Sequence, residues 1–272
     1  MQRRTFGNTD LEVSAIGLGC WIFGVDWWGH YTEADALRIC RFAFEQGVSF
    51  FDNGDAYGNG RAELLLGGFL REVPRDKVQV GGKFGYDFYS DPGTAGSHRE
   101  RRQDFSPQFM RKALEKSLER MGLDYLDLYM AHNIKLPQFR DDTFAELNKL
   151  RDEGKIRAWG VSLGPAIGWR EEGIKAVMDH DAKAVQTVMN LFEQDPGRDH
   201  QARVRVVVGG GEEPHDRPGR AEGLHQRAGD DARRRPAEEG DAEQGGGDRP
   251  QRPRAGRRRA HRGWADGAAG AR

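Results

Sequence analysis

Four side chains of this sequence have the chemistry to move a proton onto an oxygen: Asp52, Tyr57, Lys83 and His132. A phenol with an ordinary pKa of about 10 is a poor acid near neutrality, so an acid built on Tyr57 needs positive charge nearby to stabilise the phenolate. Lys83 is the candidate. It closes the apolar run Val78-Gln79-Val80-Gly81-Gly82, and a carboxylate such as Asp52 would hold its ammonium in place. Asp52 itself ends Phe50-Phe51 and opens the glycine-punctuated loop Asn53-Gly54-Asp55-Ala56-Tyr57-Gly58. A third run, Tyr125 to Ala131, ends on His132, whose imidazole can hydrogen-bond a carbonyl beside the phenol.

Each of these residues also has a plainer reading. Asp52 can cap a loop by bonding local amides, Tyr57 can be a packed loop aromatic, Lys83 can snorkel to the surface, and His132 can be a satisfied core histidine. Their joint placement at the ends of three successive strand-like runs favours a site. Asp55, Asp127 and Tyr129 read as structural, and Tyr125 and Trp159 as packing residues. A metal centre built from Asp52, Asp55 and His132 is the chemical rival. Against it, the sequence has no His-x-His or His-Glu pair, and a lysine stands where a cation would be repelled.

Those residues need elements to hold them at one end of a sheet. Gly7-Asn8-Thr9-Asp10 between short β-prone arms predicts a hairpin capping one end of the domain. Strands are expected at 15–20, 50–52, 78–83, 126–131, 158–162 and 184–190. Helices are expected after Thr32, whose pairing with Asp35 resembles a capping box, then at 62–70, from Ser106-Pro107 through Met121, at 142–152 and, more weakly, at 171–179. The stripe Phe109, Met110, Ala113, Leu114, Ser117, Leu118 and Met121 marks a face turned to a sheet. Strands alternating with helices at roughly 30-residue spacing predict a parallel α/β sheet of barrel type, whose strand ends carry the chemistry. Ser162 and Gln186 also fall at such ends.

Composition divides the chain into 1–198 and 199–272. The first part carries 26 Lys and Arg against 30 Asp and Glu, the second 16 against 13, for a net charge of -1. Neither balance suggests nucleic acid, and Arg257-Arg258-Arg259 lies among acids and glycines that make a solvated coil the better reading. After Arg198 there is no Ile, Phe, Tyr, Met, Cys, Lys, Ser, Thr or Asn. Leu, Ile, Val and Phe fall to roughly 7% of that part, a level at which disorder is the default expectation. Its alphabet of Ala, Gly, Arg, Pro, Asp and Glu also fits an out-of-frame reading of a GC-rich gene. No run approaches the roughly 20 apolar residues of a membrane span. Two cysteines and no secretory leader make a reducing cytoplasmic setting the expectation.

Between about Arg4 and Asp195 the chain resembles an aldo-keto reductase. The resemblance rests on Phe51-Asp52 through Tyr57-Gly58, Gly82-Lys83-Phe84-Gly85, Phe105-Ser106-Pro107, Ser117 to Gly122, Asp124 to Tyr129, His132, and Gly154-Lys155-Ile156-Arg157 through Ser162. It implies a (β/α)8 barrel, here incomplete at about six units, that binds NADPH or NADP, with NADH possible, and interconverts a small carbonyl compound and its alcohol. By the same resemblance Tyr57 is the general acid, Lys83 lowers its pKa, Asp52 holds Lys83 beside the cofactor, and His132 orients the carbonyl. Ser162 and Gln186 would bond the nicotinamide carboxamide. An asparagine that also holds the carboxamide commonly follows the serine in this family, and Leu163 departs from that pattern. The regions that would hold the pyrophosphate and the adenosine 2′-phosphate find no match, although Val204 to Val208 resembles a remnant seventh strand. Weak cofactor binding and aggregation are therefore expected. A non-catalytic cofactor-binding subunit and an inactive frameshifted product are the alternative readings.

Overall fold

A computed structural model of the chain describes residues 1–26, 29–93, 101–164 and 170–189, together with 194, 198 and the backbone of 207–208. All of these fall in the first of two compact units, Met1–Asp216. The part 217–272 lies outside the described residues, so the expected disorder or frame change after Arg198 is left as a reading of the sequence.

The chain opens with an antiparallel hairpin, β1 (Arg3–Thr5) and β2 (Glu12–Ser14), in which Arg4 faces Val13. A parallel sheet follows in sequential order: β3 (Gly17–Gly19), β4 (Phe50–Asp52), β5 (Gln79–Phe84), β6 (Leu126–His132), β7 (Ile156–Ser162), β8 (Ala184–Gln186) and the two-residue β9 (Val207–Val208). Helices α1 (Glu33–Glu45), α2 (Arg61–Leu70), α3 (Pro107–Met121), α4 (Asp141–Asp152) and α5 (Arg170–His180) fall between strands. This is the expected incomplete α/β barrel, a run of six strands curving as a half-barrel, extended by β9. One expectation changes: the sixth strand stops at Gln186 rather than 190. Val207 and Val208, within the expected remnant strand, pair with it through Val185 and Gln186.

Local chemistry explains the helix starts. Thr32 and Asp35 form a reciprocal capping box on α1, and the Ser106 hydroxyl accepts from the Phe109 amide with Pro107 in the first turn of α3. Strand alternation sorts two apolar layers. Val80, Phe84, Tyr129, Ala131, Trp159 and Val161 pack with the helices, and all seven residues of the predicted α3 stripe are buried. Phe50, Leu128, Met130, Ala158 and Ala184 form a separate cluster with Phe6 and Leu11 of the hairpin. The hairpin therefore caps the strand N-terminal end, as expected, and the opposite end is left for chemistry.

Candidate active site

In β5 every residue is buried, yet Val80 and Phe84 go to the helices while Gln79, Gly81 and Lys83 take the other face. Gly81 keeps that face low: a Cβ there would come within 3.2 Å of the Phe50 ring and 3.5 Å of Asp52 Oδ1. Lys83, 1% exposed, donates from Nζ to Asp52 Oδ1 at 2.6 Å and to the Asn53 carbonyl at 2.9 Å. Burial alone would discharge it, but Asp52 and Tyr57 together push its pKa above the ordinary lysine value. Lys83 is thus a fixed cation.

The ammonium lies 5.1 Å from the centre of the Tyr57 ring. Burial of the phenol outweighs the opposing charge and hydrogen bond of Lys83, and Asp52 adds to the rise, so the Tyr57 pKa lies above its ordinary value. Lys83 acts in the direction expected from the sequence, but desolvation wins. The expected lowering is a partial offset, not a net fall. His132 meets the Tyr57 ring edge-on at 5.6 Å between centroids, and burial with the nearby Lys83 charge lowers its pKa to about 3. The imidazole is neutral at working pH, and its Nδ1 is buried without a hydrogen-bond partner among the described residues.

A polar chain joins these groups to the later strands. Ser162 donates to Gln186 Oε1 at 2.8 Å, and Gln186 Nε2 donates to Asp52 Oδ2 at 2.9 Å. The structure thus brings together all six expected residues: Asp52, Tyr57, Lys83, His132, Ser162 and Gln186. Ser162 spends its one proton on Gln186, and the oxygens of both residues keep lone pairs for N–H donors, while Gln186 keeps a second amide N–H besides the one given to Asp52. Leu163 contributes packing: its side chain is 5% exposed in the helix-side core, while its amide bonds the Gln186 carbonyl at 2.8 Å. Among the described residues no group of three or more His, Cys, Asp and Glu is arranged to hold a metal.

The sequence did not reveal the supports. Gly24 lets the loop after β3 press on the Tyr57 backbone, since a Cβ there would sit 2.5 Å from the Tyr57 carbonyl carbon, and Gly58, at φ +62°, backs onto Gly24 in turn. Tyr86 also meets His132 edge-on, at 5.0 Å between centroids, and accepts from Asn133 Nδ2 at 2.8 Å. Gln103 donates to the His132 and Asn133 carbonyls at 3.0 and 3.2 Å. The only sequence hint was Asn133, a turn-former directly after a strand, which adopts φ +56°. The structural readings of Asp127 and Tyr129 hold: Asp127 pairs with Arg75 and Arg157 and accepts from the Val80 amide, and the Tyr129 hydroxyl donates to the Met110 carbonyl.

A parallel strand-helix half-barrel with a tyrosine, a lysine, an aspartate and a histidine gathered at the strand ends places the chain in the α/β-barrel class. Residues 15–205 match the model of the aldo/keto reductase family, and the chain belongs to that family. It is 32% identical over 190 residues to a probable aldo-keto reductase 1 of Glycine max, covering 70% of this chain and 51% of the relative. It is also 32% identical over 178 residues to an NADH-specific methylglyoxal reductase of Escherichia coli, covering 63% and 55%. The chain spans about half the length of these curated relatives. Among solved structures, the holo form of an aldo-keto reductase from Bacillus halodurans superposes with a TM-score of 0.65 at 27% identity, covering 76% of this chain and 65% of that one. The glycerol dehydrogenase of Gluconobacter oxydans gives 0.63 at 25% identity, covering 83% and 70%.

Proposed function

We propose that the residues of this site reduce an aldehyde or ketone to its alcohol, reversibly, with a nicotinamide dinucleotide as the source of reducing equivalents. The observation that carries this reading is the contact of Tyr57 with both a fixed ammonium and a neutral imidazole. A bound nicotinamide would supply the hydride, with Ser162 and Gln186, beside Asp52, holding its carboxamide. Tyr57 holds the proton on its phenol oxygen and yields it as charge grows on the carbonyl oxygen. Lys83 then favours the phenolate left behind, and Asp52 keeps that ammonium from moving. Neutral His132 offers an N–H to the same oxygen and fixes its approach to Tyr57.

NADPH is the proposed cofactor from the resemblance, with NADH as the competing choice because the Escherichia coli relative is named NADH-specific. A cytoplasmic setting belongs to the same proposal; among the described residues no helix is long and apolar enough to cross a membrane. The division at 198 into a catalytic part and an extension is also proposed, and it makes turnover by this chain slow. The test is an absorbance assay at 340 nm with NADPH or NADH and a panel of aldehydes, run on the full chain. A parallel chimera takes the region after 198 from the soybean relative. Cofactor oxidation that falls by at least about a thousandfold in Tyr57→Phe is the expected result for a lost acid with its neighbours intact. Turnover of the chimera indifferent to Tyr57→Phe defeats the proposal.

A further inference from the structure

The stretch Ser117 to Gly122 takes no part in the proposed chemistry, yet one of its residues grips the loop that carries Tyr57. We propose that Arg120, from helix α3, is a positioning residue that clamps both ends of the loop 53–60 and so fixes where the phenol stands. The inference rests on the proposed role of Tyr57.

Upstream of the phenol, Arg120 Nη2 donates to the Tyr89 hydroxyl at 3.0 Å, and that hydroxyl donates to Asp55 Oδ2 at 3.3 Å, two residues before Tyr57. Downstream, Arg120 Nε donates to Glu63 Oε2 at 2.5 Å in the first turn of α2. Gly60, three residues after Tyr57, lies directly on the guanidinium stem: at φ +89° a Cβ would come within 2.7 Å of Arg120 Cδ and 2.8 Å of Nε. The guanidinium also sits 5.7 Å over the Tyr89 ring and 5.8 Å over Phe88. A planar fork with donors in several directions can hold two chain segments at once, which an ammonium cannot.

The cost of this arrangement argues against mere packing. Asp55 and Glu63 are fully buried, and the guanidinium that pairs with Glu63 reaches Asp55 only through the Tyr89 hydroxyl. Burial, and for Asp55 also the neighbouring Glu63, raises both carboxyls above the usual carboxylate range. Asp55 Oδ1 and Glu63 Oε1 are left without hydrogen-bond partners among the described residues. An apolar side chain of similar volume would fill the space at lower cost. What it would lose is the fixed geometry on either side of Tyr57.

The test places 3-fluorotyrosine at position 57 of the full chain and follows its phenol titration by fluorine NMR, a readout independent of turnover. Arg120→Lys keeps the charge beside Glu63 but cannot reach both ends of the loop; Tyr89→Phe keeps every charge and cuts only the link to Asp55. Both are expected to preserve thermal unfolding cooperativity while moving the phenol titration down towards that of free 3-fluorotyrosine. In the chimera both should lower kcat about tenfold with the carbonyl KM within about twofold, as misplacement of a reacting group does. An unchanged titration in a folded Tyr89→Phe protein overturns the clamp, whatever Arg120→Lys does. Activity that survives Tyr57→Phe would sink the functional reading instead, and leaves the fluorine result to decide the clamp alone.

Discussion

At the scale of single residues the site is an electrostatic balance in which burial opposes charge. His132 shows it most directly. Its folded pKa of about 3 lies below the ordinary value near 6.5, so the unfolded chain binds the extra proton first as pH falls. Stability is fully present above pH 6.5 and declines below it, by up to about 1.4 kcal/mol per pH unit, less whatever solvent at the half-buried ring recovers. Urea unfolding at pH 7 and pH 5 should therefore show a larger loss in the parent than in His132→Gln. Equal losses would mean that the imidazole is hydrated in the folded protein. Lys83 has the opposite sign: with its folded pKa raised, its contribution is complete below about pH 10.5 and fades only above that. The carboxylate Asp52, the cation and the imidazole were legible because each ends an apolar run, where a polar residue has to be explained. Their balance was not. A sequence shows that Lys83 follows Val80 by three, but not that the phenol it serves is itself desolvated.

At the scale of elements, what could be read was periodicity, and what could not was closure across long separations. The α3 stripe and both caps followed from spacing alone. The bond from Gln186 to Asp52 spans 134 positions, and nothing local to either residue announces it. The same holds for Gln103, which the segment before α3 carries onto the backbone at His132. The hairpin offers a test of how far the N-terminal cap supports the site. Leu11 is 2% exposed among Phe6, Phe50, Leu128 and Met130. Leu11→Ala should cost about 2–4 kcal/mol through the cavity it leaves, seen as a lower urea midpoint with an unchanged slope. Ser106→Ala, which removes the α3 cap, should cost only about 1 kcal/mol. A larger loss from Ser106 than from Leu11 would mean that the hairpin docks without supporting the sheet.

At the scale of the whole molecule, the question is what completes a half-barrel. The family match ends at 205, close to where the composition changes, and the relatives run to about twice the matched length. Among the described residues β3 has one strand neighbour, and β9 contributes two residues beside β8. A nicotinamide ring, which we propose Ser162 and Gln186 would hold, is a small part of a dinucleotide, and the sequence after 198 brings few Leu, Ile, Val or Phe residues with which to build strands around the rest. We therefore expect this chain to bind NADPH more weakly than micromolar and to self-associate, read by quenching of tryptophan fluorescence together with sedimentation. A monomer with micromolar affinity would refute that expectation. The proposed frame change makes a separate prediction at the level of DNA: translating the region downstream of Arg198 in the other two frames should recover alternating strand and helix periodicity. The chain carrying that restored region should then bind NADPH at least tenfold more tightly than the chain as it stands. If neither frame recovers that periodicity, the Gly, Ala and Arg-rich segment is a native extension, and the missing strands must come from another source or not at all.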